Sequence, residues 1–396
     1  MLCKIRSALQ TITISLFATS AYAEFNLNLQ PPVTPLATEI YDLHTLILLV
    51  CLVIFIVVFG AMFYALYKHR KSVGHQAAQF HHNTRLEIVW TIIPFFILVG
   101  MAYPTTKTVL RMKTVENTDM SIKVTGRQWL WEYEYMDQGV KYVSNLATPR
   151  DQIDNKAAKT THYLLEVDHP MVVPTGKKVR LLLTASDVIH SWWIPAFGVK
   201  QDAIPGFIHE AWFQVDKPGT YRGQCAELCG IGHGFMPIVV EAMPQEQYDA
   251  WLQQQKTKLV AEAAAATKDY ALDDLKKHGE GVFKARCAAC HQANGQGIAG
   301  VFPPLVEGAT LTNQDTVKRL AGLGFAKDGK VVMGPKDKHL DIVMHGIPGS
   351  AMLGLGEQMS DLDVAAVITY ERNSWGNKAG DMVQPAEVAA VRKTKG

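Results

Sequence analysis

The sequence has little of what marks several common classes of protein. Charged residues make up only 19% of the 396 residues, and the formal net charge is +2. No strong field of one sign is available, so nucleic acid is not expected as a partner. Of only six cysteines, Cys3 lies near the N-terminus and Cys51 in an apolar run. The other four fall into two short motifs, so a structural disulfide framework is not needed.

The first residues have the pattern of an export signal. Lys4 and Arg6 precede an apolar stretch that ends in Ala21-Tyr22-Ala23. This pattern predicts a secretory signal peptide over residues 1–23, with an uncleaved signal anchor as the alternative.

Two further apolar runs, at about 43–67 and 86–104, are long enough to span a membrane as a helical hairpin within residues 24–108. The loop between them has no acidic residue and carries the cations Lys68, Arg70, Lys71 and Arg85. The positive-inside rule therefore places this loop in the cytoplasm and both ends of the hairpin outside.

A soft-metal motif lies in Cys225-Ala226-Glu227-Leu228-Cys229-Gly230-Ile231-Gly232-His233-Gly234-Phe235-Met236. Two thiolates, an imidazole and a thioether in a glycine-rich loop can surround a metal ion. Zinc seldom takes a thioether, so Met236 favours copper. His190, between two strand-like runs, is the best candidate for a second imidazole. A disulfide between Cys225 and Cys229 is the alternative.

Short runs rich in Val, Ile, Trp and Tyr surround this motif. They predict a small all-β Greek-key domain over residues 109–244. The polar stretch 145–161 is expected to be a surface excursion. After Pro244, helix-forming residues predict a helical tail and a mobile linker over residues 245–271.

Cys287-Ala288-Ala289-Cys290-His291 has the spacing of a c-type haem attachment site. The two thiols would bond to the porphyrin, and His291 would be the proximal iron ligand. A thiol redox motif has the same cysteine spacing and is the alternative. We expect an all-α cytochrome c domain over 272–378, followed by a C-terminal tail over 379–396. Four methionines can supply the sixth iron ligand: Met333, Met344, Met352 and Met359.

The metal motif together with His190 closely resembles the binuclear CuA site of cytochrome c oxidase subunit II. The resemblance extends to the hairpin and to two segments, Gly126-Arg127-Gln128-Trp129-Leu130-Trp131-Glu132-Tyr133 and Val199-Lys200-Gln201-Asp202-Ala203-Ile204-Pro205-Gly206. It implies a cupredoxin-like fold in which Cys225 and Cys229 bridge two copper ions. It also implies that the remaining ligands are His190, His233, Met236 and the backbone carbonyl of Glu227.

The same resemblance implies roles for three further groups. Trp129 would receive electrons, although Arg127 stands where the family usually has histidine. Glu87 would lie at the mouth of a proton channel of the partner subunit, with an ordinary surface carboxylate as the alternative. The Glu227 carboxylate would share a magnesium ion with subunit I. The segment ending in Met352 resembles the ligand loop of small bacterial cytochromes c, which favours Met352 over Met359.

The resemblance as a whole is to subunit II of a bacterial haem–copper oxidase with a fused cytochrome c domain. It implies a two-pass protein of the bacterial inner membrane, with both redox domains in the periplasm and the fused cytochrome beside Trp129. Electrons from a periplasmic cytochrome c or other donor would pass through haem c and CuA to subunit I, which reduces oxygen. Subunit III would be a further partner. The alternatives are a quinol oxidase subunit, a nitrous oxide reductase, and above all the electron-accepting subunit of a nitric oxide reductase.

Overall fold

The computed structural model describes residues 27–74, 76 and 81–395. The expected signal peptide therefore lies outside the described residues. The chain forms two compact units, which are the described residues up to Thr114 together with Pro195–Val199, and Val115–Ile194 together with the chain from Lys200 onwards.

The first unit contains two long apolar helices, α1 (Pro35–Lys68) and α2 (Thr84–Lys113). Both are long and apolar enough to cross a membrane, and their apolar windows are not buried inside the protein. Each helix is longer than the apolar run that predicted it. Thr34 caps α1, where its Oγ1 accepts a hydrogen bond from Ala37 N at 3.0 Å and a proline takes the first helical position. The helices therefore begin at polar caps outside their apolar runs.

The second unit opens with a β-sandwich of two five-stranded sheets, ordered β3-β2-β1-β5-β8 and β4-β10-β9-β6-β7. Alternate side chains of β1 and β5, among them Ile122, Val124 and Leu181, are fully buried between the sheets. A short helix, α3, lies between β3 and β4. The bounds are β1 Met120–Arg127, β2 Leu130–Tyr135, β3 Val140–Ser144, α3 Arg150–Ile153, β4 Met171–Pro174, β5 Lys178–Ala185, β6 His190–Ile194, β7 Val199–Ala203, β8 His209–Gln214, β9 Gly219–Cys225 and β10 Ile238–Met243.

Strand register brings the candidate ligands to one end of the sandwich. The β1–β2 hairpin turns at Gln128 and Trp129, directly after the pair Arg127–Leu130. At the same end Ser186 N donates to Gly126 O at 3.1 Å. In the other sheet, Trp192 of β6 pairs with Cys225 at the end of β9. The hairpin turn, the start of β6 and the loop after β9 therefore form one surface.

A helical domain completes the unit. Its elements are α4 Gln245–Ala266, α5 Leu272–Arg286, α6 Ala288–His291, α7 Gln314–Leu323, the two-stranded β11 (Ala326–Lys327) and β12 (Lys330–Val331), α8 Lys336–His345, α9 Asp361–Arg372 and α10 Pro385–Lys395. Helices α5 and α9 pack closely because Gly279, which has no Cβ, faces the backbone of Ala366. Ser360 and Asp363 form a capping box at the start of α9.

Candidate metal centres

Two free thiols lie at the heart of the β-domain site. Cys225 ends β9 and Cys229 follows in the loop, and their side chains are 6% and 1% exposed. Their sulfur atoms are 3.9 Å apart, whereas a disulfide requires about 2.05 Å. Both cysteines are therefore free, and the disulfide alternative does not describe this structure.

The other predicted ligands surround these sulfurs. His190 Nδ1 lies 4.0 Å from Cys225 Sγ, and the carbonyl oxygen of Glu227 lies 3.4 Å from the same atom. His233 Nδ1 and Met236 Sδ lie 3.6 and 3.5 Å from Cys229 Sγ. The structure thus brings all six predicted ligands into one cluster.

The spacing fits bound metal. A metal ion about 2.3 Å from sulfur and about 2.0 Å from imidazole nitrogen, with tetrahedral angles, places two sulfurs about 3.8 Å apart and sulfur and nitrogen about 3.5 Å apart. The observed separations are close to these values. Six donors are more than one tetrahedral ion needs, but two ions that share both thiolates would each have four. Thiolate, imidazole and thioether together favour copper.

Asp187 holds His190 in place. Its Oδ1 lies 2.9 Å from His190 Nε2, and its Oδ2 accepts a hydrogen bond from Gln128 N at 2.7 Å. This contact orients the fully buried imidazole so that Nδ1 faces the thiols. The sequence indicates a structural or electrostatic role for Asp187, and the structure specifies that role as the orientation of His190.

The β1–β2 hairpin holds the metal loop from the other side. Gln128 Nε2 and Trp129 Nε1 both donate to the carbonyl of Cys229, at 2.9 and 3.1 Å. Trp131 Nε1 donates to the carbonyl of Met236 at 3.2 Å, and the ring of Trp131 meets that of His190 edge-on at 5.9 Å. Trp131 is buried and Trp129 is half-buried, so Trp129 is the indole that is open to solvent.

Burial and close contacts shift the pKa values of the ligand groups. Burial lowers the pKa of His190, but its contacts with Asp187 and Cys225 outweigh this effect and raise the pKa to about 8. Burial raises the pKa of Cys225, but bonds to His190 and to backbone groups outweigh it and lower the pKa to about 7. Burial and the neighbouring Cys225 charge both raise the pKa of Cys229. Cys225 is therefore the first thiolate to form.

The second candidate centre lies on α6. Cys287 and Cys290 are free, and Nδ1 of His291 lies 2.9 Å from the carbonyl oxygen of Pro303. That contact fixes the ring and leaves Nε2 as the nitrogen that can bind iron. The donor set and the orientation of His291 fit a covalently attached haem.

The two methionines considered for the sixth position have different surroundings. Met359 is 8% exposed and packs in the core of the helical domain with Phe283, Met344 and Val364. Met352 is half-buried in a loop, where its backbone N–H donates to Ser350 Oγ at 3.1 Å. Met359 is therefore part of the apolar core, and Met352 is the more accessible of the two.

The two predicted carboxylates differ in exposure, since Glu87 is half-buried and Glu227 is exposed. Glu87 is in the first turn of α2, where its Oε1 accepts a hydrogen bond from Asn83 N at 3.2 Å. Its carboxylate therefore also caps the helix. The side chain of Glu227 is exposed, while its carbonyl faces Cys225.

Taken together, a β-sandwich with a copper-type ligand cluster, a domain with a haem attachment site and two membrane-type helices define a membrane-anchored electron-transfer protein. Three protein families match this chain, and they agree with the domains seen in the structure. They are "Cytochrome C oxidase subunit II, periplasmic domain" over residues 120–243, "Cytochrome C oxidase subunit II, transmembrane domain" over residues 22–108, and "Cytochrome c" over residues 277–375.

Similar proteins carry the same name. The chain is 31% identical over 372 residues to cytochrome c oxidase subunit 2 of Alkalihalophilus pseudofirmus, which covers 91% of this chain and 94% of that relative. It is 39% identical over 238 residues to the subunit 2 of Cereibacter sphaeroides, which covers 57% of this chain and 78% of that relative. The crystal structure of the periplasmic domain of subunit II of cytochrome oxidase from Bradyrhizobium japonicum is 41% identical, with a TM-score of 0.33, and covers 37% of this chain and 99% of that one.

The chain belongs to the cytochrome c oxidase subunit II family, and it carries a cytochrome c domain after the copper domain. The predictions of family, fold class and main function are confirmed. Copper and haem are its cofactors, and it is a membrane protein with a periplasmic domain that works in an oxidase complex with subunit I. None of these comparisons favours a nitric oxide reductase.

Gly126→Ala should disturb the copper site. A Cβ at this position would lie 2.8 Å from Cδ2 of His190, a buried ring that cannot retreat. We expect less bound copper and a domain that is less stable by about 1–3 kcal/mol, measured by metal analysis and thermal unfolding. Gly234→Ala is the matched control, because its Cβ would meet no described atom within 4 Å. Equal copper contents in the two variants would contradict the geometry.

Copper affinity of the metal-free protein should fall as pH decreases, and more steeply below about 8, because Cys229 keeps its proton throughout this range and His190 then adds a second. The pKa of His190 is raised to about 8, so below that pH copper must displace a proton from the ring. The affinity should then fall about tenfold per pH unit for each proton displaced. Copper titrations at several pH values, with proton release recorded, test this. A plot of log affinity against pH whose slope does not increase as pH falls through about 8 would exclude proton competition at His190.

Proposed function

We propose that this chain carries electrons from haem c through a binuclear copper centre to the haem–copper site of subunit I, where oxygen is reduced to water with proton translocation. One observation carries the proposal. Two unbonded sulfurs lie 3.9 Å apart within a cluster of six donors, and these residues would hold two copper ions with four donors each if both thiolates were shared. The oxygen-reducing site belongs to subunit I.

The surrounding residues suit such a centre to electron transfer. Copper and haem iron, when bound, each take up and release one electron at a time. Asp187 fixes His190, and three side-chain N–H groups of the β1–β2 hairpin fix the carbonyls of Cys229 and Met236. Ligands held in this way move little when the charge changes, so little reorganisation opposes the transfer. The buried position of both thiols excludes water that would otherwise reorganise with each electron.

Trp129 is the residue we propose for electron input to the copper centre. Its indole is half-exposed, and its Nε1 bonds to the carbonyl of the ligand Cys229. Beside it, Arg127 pairs with Glu132 at 3.1 Å, and Lys141 approaches the same buried carboxylate at 3.1 Å. The arginine that replaces the usual histidine is thus ion-paired within its own sheet.

Three finer assignments rest on chemistry and on the family resemblance. Glu87 lies in the first turn of α2, next to the loop that carries the basic residues, where a carboxylate can deliver protons to subunit I. The exposed Glu227 carboxylate, on the copper loop, offers the hard oxygen ligand that magnesium prefers. We place the chain in the bacterial inner membrane, with subunit III as a further partner and a periplasmic cytochrome c or another protein as donor.

The proposed domain limits are 1–23 for the signal peptide, 24–108 for the transmembrane hairpin and 109–244 for the copper domain. The helical tail and linker follow over 245–271, the cytochrome c domain over 272–378 and the C-terminal tail over 379–396. Helix α4 lies within the fourth segment and α10 within the last. Haem attachment at Cys287 and Cys290, with His291 and Met352 as iron ligands, belongs to the fifth.

Gas consumption by the purified complex tests the function. It should consume oxygen with reduced cytochrome c as donor, and nitric oxide consumption without oxygen consumption would reject the proposal.

Trp129→Phe removes the large indole and its bond to Cys229, so it should slow electron input while the copper content is retained. Stopped-flow reduction of the copper centre measures the first effect, and metal analysis measures the second.

Met352→Leu should remove the sixth iron ligand and convert the haem from low spin to high spin. The thioether is lost while an apolar side chain of similar volume remains, so folding should be affected little. Met359→Leu is the matched control and should keep the low-spin optical spectrum. A high-spin spectrum in the control alone would transfer the ligand role to Met359.

A further inference from the structure

The polar stretch after β3 supplies none of the copper ligands, yet hydrogen bonds hold it in a defined conformation. Residues 145–168 leave the sandwich and return to the same point, where Leu146 bridges Val167. Asp168 closes the base of this excursion, because its two carboxylate oxygens accept hydrogen bonds from Asn145 N at 2.7 Å and Asn145 Nδ2 at 3.0 Å. Asp168 therefore has a fixed position and a fixed direction.

The excursion contacts the helix that carries the haem attachment motif. Arg286 Nη2 lies 3.5 Å from Asp168 Oδ2, and Arg286 is the last residue of α5, directly before Cys287. Arg150 lies on the same excursion. It pairs with Asp154 of the excursion at 3.0 Å, and its charge opposes the rise that burial causes in the pKa of Cys290.

The connection between the two domains is a packed helix rather than a free tether. Near the start of α4, the ring of Trp251 lies 5.3 Å from that of Tyr135 and 6.3 Å from that of Tyr142, both in the β-sandwich. After the helix ends, Tyr270 exchanges hydrogen bonds of 3.0 and 2.8 Å with the side chain of Gln384. Both ends of the connection are therefore attached, which limits the orientations open to the helical domain.

We propose that residues 145–168 form the docking surface for the chain's own haem-bearing domain, and that the Asp168–Arg286 ion pair fixes the orientation of that domain. The inference deepens the proposed function, since it identifies where the tethered electron donor is held. The two side chains are 25% and 32% exposed, so the pair adds more to orientation than to affinity. The packed helix α4 keeps the partners at high effective concentration.

A cross-link tests the contact in the full-length holoprotein. Arg286→Lys puts a primary amine opposite the Asp168 carboxylate, and a water-soluble carbodiimide condenses amine and carboxylate to an amide as it takes up the water and becomes a urea. Mass spectrometry should find a peptide pair that joins positions 168 and 286. Lys336 and Glu387, 2.7 Å apart in the helical domain, provide a positive control. A link at the control pair without one at 168–286 would overturn the proposal.

Hydrogen exchange gives a second measurement that needs no new bond. Arg286→Glu reverses the charge that faces Asp168, so amide protection across residues 145–168 should fall by about fivefold at low salt, as expected for loss of a partly exposed ion pair. Lys284→Glu is the matched control, because Lys284 lies in the same last turn but pairs with Glu280 of its own helix at 2.6 Å. Equal exchange in both variants would reject a specific role for Arg286. Neither readout depends on oxygen consumption, so failure of the proposed function and failure of docking remain distinguishable.

Discussion

The site depends on two thiols that lie 3.9 Å apart without a bond between them. A disulfide would bring the sulfurs to about 2.05 Å and would remove both shared ligands at once. The periplasm is an oxidising compartment. The two thiols therefore stay unbonded there only when a metal ion binds them or a reductant keeps them reduced. Cys225, whose pKa is lowered to about 7, is the sulfur more open to oxidation, because the thiolate is the reactive form, whereas burial and the neighbouring charge raise the pKa of Cys229. Bound copper would then protect both sulfurs.

Distant parts of the chain maintain this separation. The ligand loop is bonded to the β1–β2 hairpin across 101 and 100 residues of sequence, through Gln128 and Trp129. Asp187 joins the same hairpin to His190. Gln128 and Trp129 donate to the same carbonyl, so either one keeps the loop attached when the other is lost. Among the described residues, Asp187 is the one side chain seen at Nε2 of His190, so its loss would leave that ring free to turn. Through these contacts, small changes near Gly126, far from the loop in sequence, reach the ligands.

Local patterns made much of the site predictable, and tertiary contacts account for what was missed. The copper loop, the haem motif and both apolar helices follow from residue spacing within short segments. The role of Asp187 and the packing of Trp251 on Tyr135 join segments that no periodicity connects. The helical tail predicted after Pro244 forms as helix α4, whereas its attachment to the sandwich through Trp251 is a tertiary contact that composition does not indicate. Burial also distinguishes Met352 from Met359, whereas their shared residue type cannot.

The fused haem domain changes what charge has to do in this molecule. A separate donor must reach the copper domain by diffusion. Its association rate depends strongly on salt, because screening weakens long-range electrostatic steering. A domain that is already attached through α4 needs charge only to select an orientation. The family resemblance suggested that the fused domain would lie beside Trp129, whereas the contacts of Arg286 lead to the excursion. Salt should therefore weaken this orienting contact while α4 keeps the domain attached.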